Sequence, residues 1–199
     1  MKTLIAVVFL VVLPGCALVK STAHDAPPIT DYALARPIFE NYYVCGEHRS
    51  GELSHLGDAL GADCLIQELE NIGGREFART YMGTGERNED WYGWHQNVLS
   101  PCNCEVVRVT ENTTTNTPGT LGEPPATFVV LRRPDGVHFL IAHLDLVAVK
   151  TGQRLAAGQK IGVVGNNGYG RNPHIHIGAW RGETPLQVRF DLAGDQSDD

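Results

Sequence analysis

His174 and His176 are separated by one residue in the run Arg171-Asn172-Pro173-His174-Ile175-His176-Ile177. On an extended strand residues i and i+2 point to the same face, so the two imidazoles share one polar surface while Ile175 and Ile177 turn into apolar packing. Imidazole nitrogen is a good zinc ligand, and a catalytic zinc takes about three protein ligands and keeps one position open for water. The pair therefore reads as half of a metal-hydrolase site, with further ligands to come from elsewhere. A bare pair of this kind equally marks two histidines on a solvated strand face. What raises it above that reading is His143, which closes the strand-like run Val137-His138-Phe139-Leu140-Ile141-Ala142. Gly152, Gly158 and Gly162 then punctuate the chain into short hairpin strands, and three histidines on neighbouring short strands can converge.

The elements that must position them are β throughout the second half. Residues 98–100, 105–110, 127–132, 138–143, 160–164 and 173–180 are short apolar or β-branched runs separated by polar linkers. The linker at 110–125, made largely of Thr, Asn, Pro and Gly, is long enough beside a site to suggest a functional loop. Residues 67–97 read as a loop or insertion with a short helix near 76–81. With 199 residues, 42% of them hydrophobic, the chain fits one ordinary globular domain. That domain is expected over residues 38–192, after a tether at 16–37 and before an acidic tail at 193–199.

Residues 1–15 carry Lys2 and an apolar stretch from Leu4 to Leu13, a pattern too short to span a bilayer comfortably, which reads as an export signal. Leu13-Pro14-Gly15-Cys16 resembles a bacterial lipobox, in which the cysteine becomes lipidated and N-terminal. Ala17 after that cysteine suggests, by likeness to Gram-negative lipoproteins, the periplasmic face of the outer membrane. The formal charge is −7, and removing the export segment makes it one unit more negative. An acidic chain with no basic stripe is not the profile of a nucleic-acid binder.

Apart from Cys16, the cysteines are Cys45, Cys64, Cys102 and Cys104, an even number that favours disulfides in an exported chain, with three possible pairings. Cys102 and Cys104 are poorly placed to bridge each other within an extended segment. The expectation is that each joins one of Cys45 and Cys64. A four-cysteine structural zinc lacks the usual CxxC spacing.

Several of these pieces fall in a familiar order: Val98-Leu99-Ser100-Pro101 with Glu105-Val106-Val107-Arg108-Val109, then His143-Leu144, then Gly158-Gln159-Lys160-Ile161-Gly162 and Gly165-Asn166-Asn167-Gly168, and finally Pro173-His174-Ile175-His176. Together, residues 97–178 resemble the lysostaphin-type, or LytM-like, zinc metallopeptidases of cell-wall turnover. The resemblance implies a compact antiparallel β-sheet domain with long loops, those at 71–96 and 110–125, lining a groove. It implies a zinc-dependent endopeptidase that hydrolyses peptide cross-links of peptidoglycan. The alternative it carries is an inactive LytM-like lipoprotein that binds or activates another cell-wall hydrolase.

The family places its first zinc histidine and its aspartate as HxxxD, and that spacing does not occur here. What stands in its place is His55-Leu56-Gly57-Asp58-Ala59-Leu60-Gly61-Ala62-Asp63. A chain containing Gly57 and Gly61 can turn back between two ligands that each lie about 2 Å from one metal. Carried over on these terms, His55, Asp63 and His176 hold one Zn²⁺, while His143 and His174 stay off the metal as catalytic residues. Asp58 is the alternative to Asp63, and His48 the alternative to His55. The family's tyrosine two residues before the central histidine is Ile141, and its usual glycine in the opening hairpin is Cys104. Strand alternation places His138 on the face opposite His143, in a structural or exposed role, and leaves His95 as a residue that could line the groove.

Overall fold

Most of the short apolar and β-branched runs among the described residues form strands. The computed structural model describes residues 31–49 and 51–192; the export segment, Cys16 and the acidic tail lie outside them. The strands are β1 (Tyr32–Ala35), β2 (Tyr43–Glu47), β3 (Ala62–Ile66), β4 (Glu68–Ile72), β5 (Arg75–Arg79), β6 (Asn97–Leu99), β7 (Cys104–Thr110), β8 (Phe128–Arg132), β9 (Val137–Ala142), β10 (Leu144–Asp145), β11 (Arg154–Leu155), β12 (Lys160–Val164), β13 (Ile175–Arg181) and β14 (Thr184–Phe190). The one helical turn among the described residues is the 3-10 turn Asn88–Asp90. The mostly β architecture expected from the sequence is the one the chain has.

The main sheet runs in the order β1-β14-β13-β9-β8-β7-β11, with β3 also paired to β13 and β2 to β3. β13 is its pivot. Along one edge it pairs antiparallel with β9 from His176 to Arg181, and its other edge is divided between β3, at residues 175–177, and β14, at residues 179–181. A second sheet of order β10-β12-β6 and the separate hairpin β4-β5 complete the fold.

The core lies on the face of the main sheet that carries Cys64, Ile66, Val137, Phe139, Ile141, Ile175, Ile177 and Ala179, and it is joined by Val98, Leu144, Ile161 and Val164 from the second sheet. Phe139, Ile141, Ile175 and Ile177 are fully buried. Each such side chain contributes roughly 1.5–3 kcal/mol relative to exposure. The opposite face of these three strands, β3, β9 and β13, is free to carry polar groups, and that is where His176 sits.

Three sequence expectations are corrected. The sheet begins at β1, within the segment read as tether, because Ala33 and Ala35 are buried and the strand pairs in parallel with β14. The helix expected near 76–81 is the second strand of the β4-β5 hairpin, which turns at Gly73 and Gly74, both at positive φ. The cysteines pair as Cys45–Cys64 and Cys102–Cys104. Cys45 stands directly opposite Cys64 on the β2-β3 ladder. The chain is bent, not extended, before β7, with the Ser100 hydroxyl donating to the Cys102 carbonyl and the two cysteine Cα atoms 5.4 Å apart.

Candidate metal centre and catalytic groove

Register alone assembles the site. Residues directly opposite on paired strands face the same way. His176 on β13 is opposite Ala142 on β9 and Asp63 on β3, and Asp63 is opposite Gly46 on β2. His174 lies two residues before His176, and His48 two residues after Gly46, so both continue on that face. His143 does not belong there by parity, since strict alternation sends it to the core side with Ile141. A backbone φ of 64° at His143 breaks the alternation and brings its ring to 4.3 Å from that of His174. For the same reason His138 shares the sheet face of the site rather than opposing it, and it stacks on Trp180 well down the strand, with ring centroids 5.2 Å apart.

Among the described residues, one ligand atom each from His48, Asp63 and His176 lie within 4.8 Å of one another, a grouping that could hold a metal ion. His176 Nδ1 is 3.0 Å from Asp63 Oδ1, and His48 Nε2 is 3.4 Å from Asp63 Oδ2. The rings of His48 and His176 stack at 5.1 Å. His55, the histidine expected here, is exposed at the head of a turn, where its carbonyl accepts from the Asp58 and Ala59 amides, and it stands outside the group. Asp58 is 3.3 Å from His176 Nε2, on the side of the ring away from Asp63.

The 55–61 turn orients both histidines. A carbonyl can only accept, so the ring nitrogen facing one must carry the proton. His48 Nδ1–H therefore donates to the Asp58 carbonyl at 3.1 Å, and His176 Nε2–H to the Gly57 carbonyl at 2.9 Å. This leaves His48 Nε2 and His176 Nδ1, the atoms beside Asp63, as the coordinating positions. Ligating histidines are commonly oriented in this way by an acceptor behind the ring, so the donor set fits a cation. The turn reaches the sheet through two glycines. Gly57 has φ of 93°, and its carbonyl occupies the space that a side chain at Gly178 would need. A Cβ on Gly61 would stand 2.6 Å from His176 Cε1.

The same device fixes the other pair. His143 Nδ1–H donates to the Asn167 carbonyl and His174 Nδ1–H to the Asn172 carbonyl, both at 2.7 Å, leaving each Nε2 unprotonated in the neutral ring. His174 Nε2 is 3.8 Å from Asp63 Oδ1. Asn167 is itself pinned, its side chain accepting from the Thr127 amide and donating to the Leu144 carbonyl. The only sequence signal for this role is a pair of asparagines set between Gly165 and Gly168.

Electrostatics divide the histidines in two. Burial, reinforced by the neighbouring His174, pushes His143 down to about 3, and burial likewise lowers His174. Burial acts the same way on His176, but hydrogen bonds to Asp58 and Asp63 overcome it and raise that ring to about 9. Burial would raise both Asp63 and Asp58. The hydrogen bond each makes to His176, with the charge of the surrounding histidines, instead holds both carboxyls below the usual carboxylate range. His176 thus bridges two carboxylates as an imidazolium, and its Nδ1 proton occupies the place a cation would take.

A cavity of about 270 Å³ opens beside this cluster, lined by Asp63, His174, Leu65, Leu121, Tyr169 and Arg171 among others. The 110–125 connection supplies Leu121, as expected of a groove wall. The 71–96 segment supplies no lining residue; Asn88 instead buttresses the wall from behind, donating to the Asn116 carbonyl at 2.9 Å and accepting from Asn166 at 2.8 Å. Ile141 is fully buried in the core, so no phenol reaches the site from that position. His95 bonds Asp145 at 2.9 Å and does not line the cavity.

The sequence model of peptidase family M23 matches residues 93–188. Among solved structures, the catalytic domain of lysostaphin from Staphylococcus simulans is 20% identical, with 73% of this chain and 88% of that chain covered and a TM-score of 0.44. The M23 metalloprotease pseudoalterin, from the deep sea, is 11% identical over 78% of this chain and 75% of that chain, with a TM-score of 0.47. A zinc-containing peptidase from Vibrio cholerae is 16% identical over 63% of this chain and 48% of that chain, with a TM-score of 0.38, so this chain spans about half the length of that relative. No curated protein sequence matches the chain.

Proposed function

The chain belongs to peptidase family M23 through residues 93–188, and from that premise we propose that it is a zinc-dependent endopeptidase that hydrolyses peptide cross-links of bacterial peptidoglycan. The observation that carries the reading is the convergence of His48, Asp63 and His176 beside His143 and His174. His48, Asp63 and His176 are the proposed ligands, with His48 in the role the sequence pointed to at His55. When bound there, zinc supplies Lewis-acid polarisation of the scissile carbonyl and a water whose pKa lies near neutrality.

The residues of the chain do the rest. Gly57 and Asp58 hold the non-coordinating N–H groups of the ligand histidines through their carbonyls. His143 and His174 are held neutral by burial, so at neutral pH each offers an Nε2 lone pair. One of them takes a proton from the attacking water at Nε2 as general base and passes it to the departing amine, while the Nε2 of the other accepts a hydrogen bond that orients that water. The cavity walls keep the peptide against these groups and limit bulk water. No serine or cysteine nucleophile is required.

Export and attachment to the periplasmic face of the outer membrane through lipid on Cys16 complete the proposal; they rest on the pattern of residues 2–16. The test is to incubate zinc-loaded protein with isolated peptidoglycan sacculi and identify the released fragments by mass spectrometry, with His176→Ala as control. Cleaved cross-links absent from the control support the endopeptidase and name its bond. Bound zinc, an intact fold and no release would favour the inactive module that recruits another wall hydrolase.

A further inference from the structure

The cavity beside the cluster has one arginine on its wall, Arg171. Arg171 is exposed and makes no ion pair or side-chain hydrogen bond among the described residues, although it lines the same cavity as Asp63 and His174. Its backbone is nonetheless fixed. The Arg171 carbonyl accepts from the Gly119 amide at 2.8 Å, and the Gly170 carbonyl accepts from Asn116 Nδ2 at 3.0 Å. The guanidinium is thus carried on a braced loop three residues before His174.

We propose that Arg171 is a specificity residue, and that it receives a carboxylate carried by the peptide substrate within one or two residues of the scissile bond. The inference rests on the peptidase reading and names the class of peptide that the site takes. A guanidinium presents a planar fork of N–H donors that matches a carboxylate in two parallel hydrogen bonds. Arg171 lines the same cavity as Asp63 and His174, so a carboxylate held by its guanidinium lies beside the reacting groups. The rest of the wall is Leu65, Leu121 and Tyr169 with Gly170 and Asn172, around a space of only about 270 Å³. That suits a small aliphatic side chain next to the charged group. The carboxylate is either the free end of a peptide or a side-chain acid, and both present the same two oxygens to Arg171.

The test uses short peptides of small aliphatic residues in matched pairs, identical except that a carboxylate is replaced by a carboxamide. In one pair the change is at the C-terminus and in the other on a side chain. Dissociation constants are measured by calorimetry on the zinc-loaded full chain, and cleavage is followed in parallel. Wild type is expected to prefer the carboxylate form of at least one pair by about tenfold or more, the scale of a charge-assisted hydrogen bond, and the preferred pair identifies the source. Arg171→Gln is expected to lose that preference while keeping its zinc and its affinity for the carboxamide, and Arg171→Lys to restore part of it. Equal affinity of wild type for both forms of both pairs, including no measurable binding of any, overturns the proposal, as does a preference that survives Arg171→Gln. Preferential binding without cleavage leaves Arg171 in its role and removes the peptidase reading; cleavage indifferent to the carboxylate does the reverse.

Discussion

Asp63 stands directly across the β13-β3 ladder from His176, its Oδ1 3.0 Å from His176 Nδ1. Because the Nδ1 proton sits where a cation would bind, metal and proton compete for the same atom. Zinc added to chelator-treated protein at pH 7.5 is expected to displace one proton per metal from His176. Calorimetry in buffers of different ionisation enthalpy measures this, and a heat independent of buffer would remove His176 Nδ1 from the ligand set.

The same shifts set the pH dependence of the chelator-treated protein. His176 is raised to about 9, so the stability it contributes is fully present below about pH 6.5 and is lost as the pH rises through 9. His143 is depressed to about 3. A depressed histidine works in the opposite sense: stability falls as the pH drops below about 6.5, because the unfolded chain takes up a proton that the folded chain refuses. Imidazole NMR signals should show His143 not titrating between pH 5 and 8, and denaturant midpoints should decline on both sides of neutrality. A His143 that titrates near 6.5 would contradict the burial argument.

Gly61→Ala places a methyl group 2.6 Å from His176 Cε1. Either the ring or the 55–61 turn must move. The expected result is a destabilisation of about 1–3 kcal/mol, the usual scale of overpacking, together with weakened zinc binding. Thermal unfolding and metal titration of the variant check both. Gly93→Ala is the comparison, since its φ is not positive and a Cβ there meets its nearest neighbour at an ordinary 3.7 Å.

The Cys45–Cys64 bond closes a 19-residue separation and ties β2, which leads to His48, onto β3, which carries Asp63. Replacing both cysteines by alanine is expected to cost about 3 kcal/mol through the freed unfolded chain and to weaken zinc binding by loosening His48. Cys102–Cys104 spans a separation of only 2 at the start of β7, three strands from β13 in the sheet order, so its removal should have little effect on metal. Denaturant unfolding of the two double variants decides whether they differ in this order.

The strands and the His174–His176 face were legible in the sequence because period-two alternation determines them, while Asp63 came from the family resemblance, its place beside His176 being set by the pairing of β3 with β13. Local pattern could not supply the pairing of distant strands. Nothing in Gly46-Glu47-His48 announces that β2 will lie against β3 and bring His48 to Asp63, whereas His55 has the closer spacing and so drew the assignment. The disulfides were misread for a related reason: the bend at residues 100–103 has no apolar period to signal it. His143 is the instructive exception on the well-read side, since its role followed from resemblance, while its place on the site face depends on a positive φ that alternation does not foresee.

The most direct test of the account is zinc content and cross-link cleavage measured together for wild type, His48→Ala and His55→Ala. The account predicts one zinc and cleavage in wild type, neither in His48→Ala, and both retained in His55→Ala. Zinc and cleavage that persist in His48→Ala but vanish in His55→Ala would contradict it.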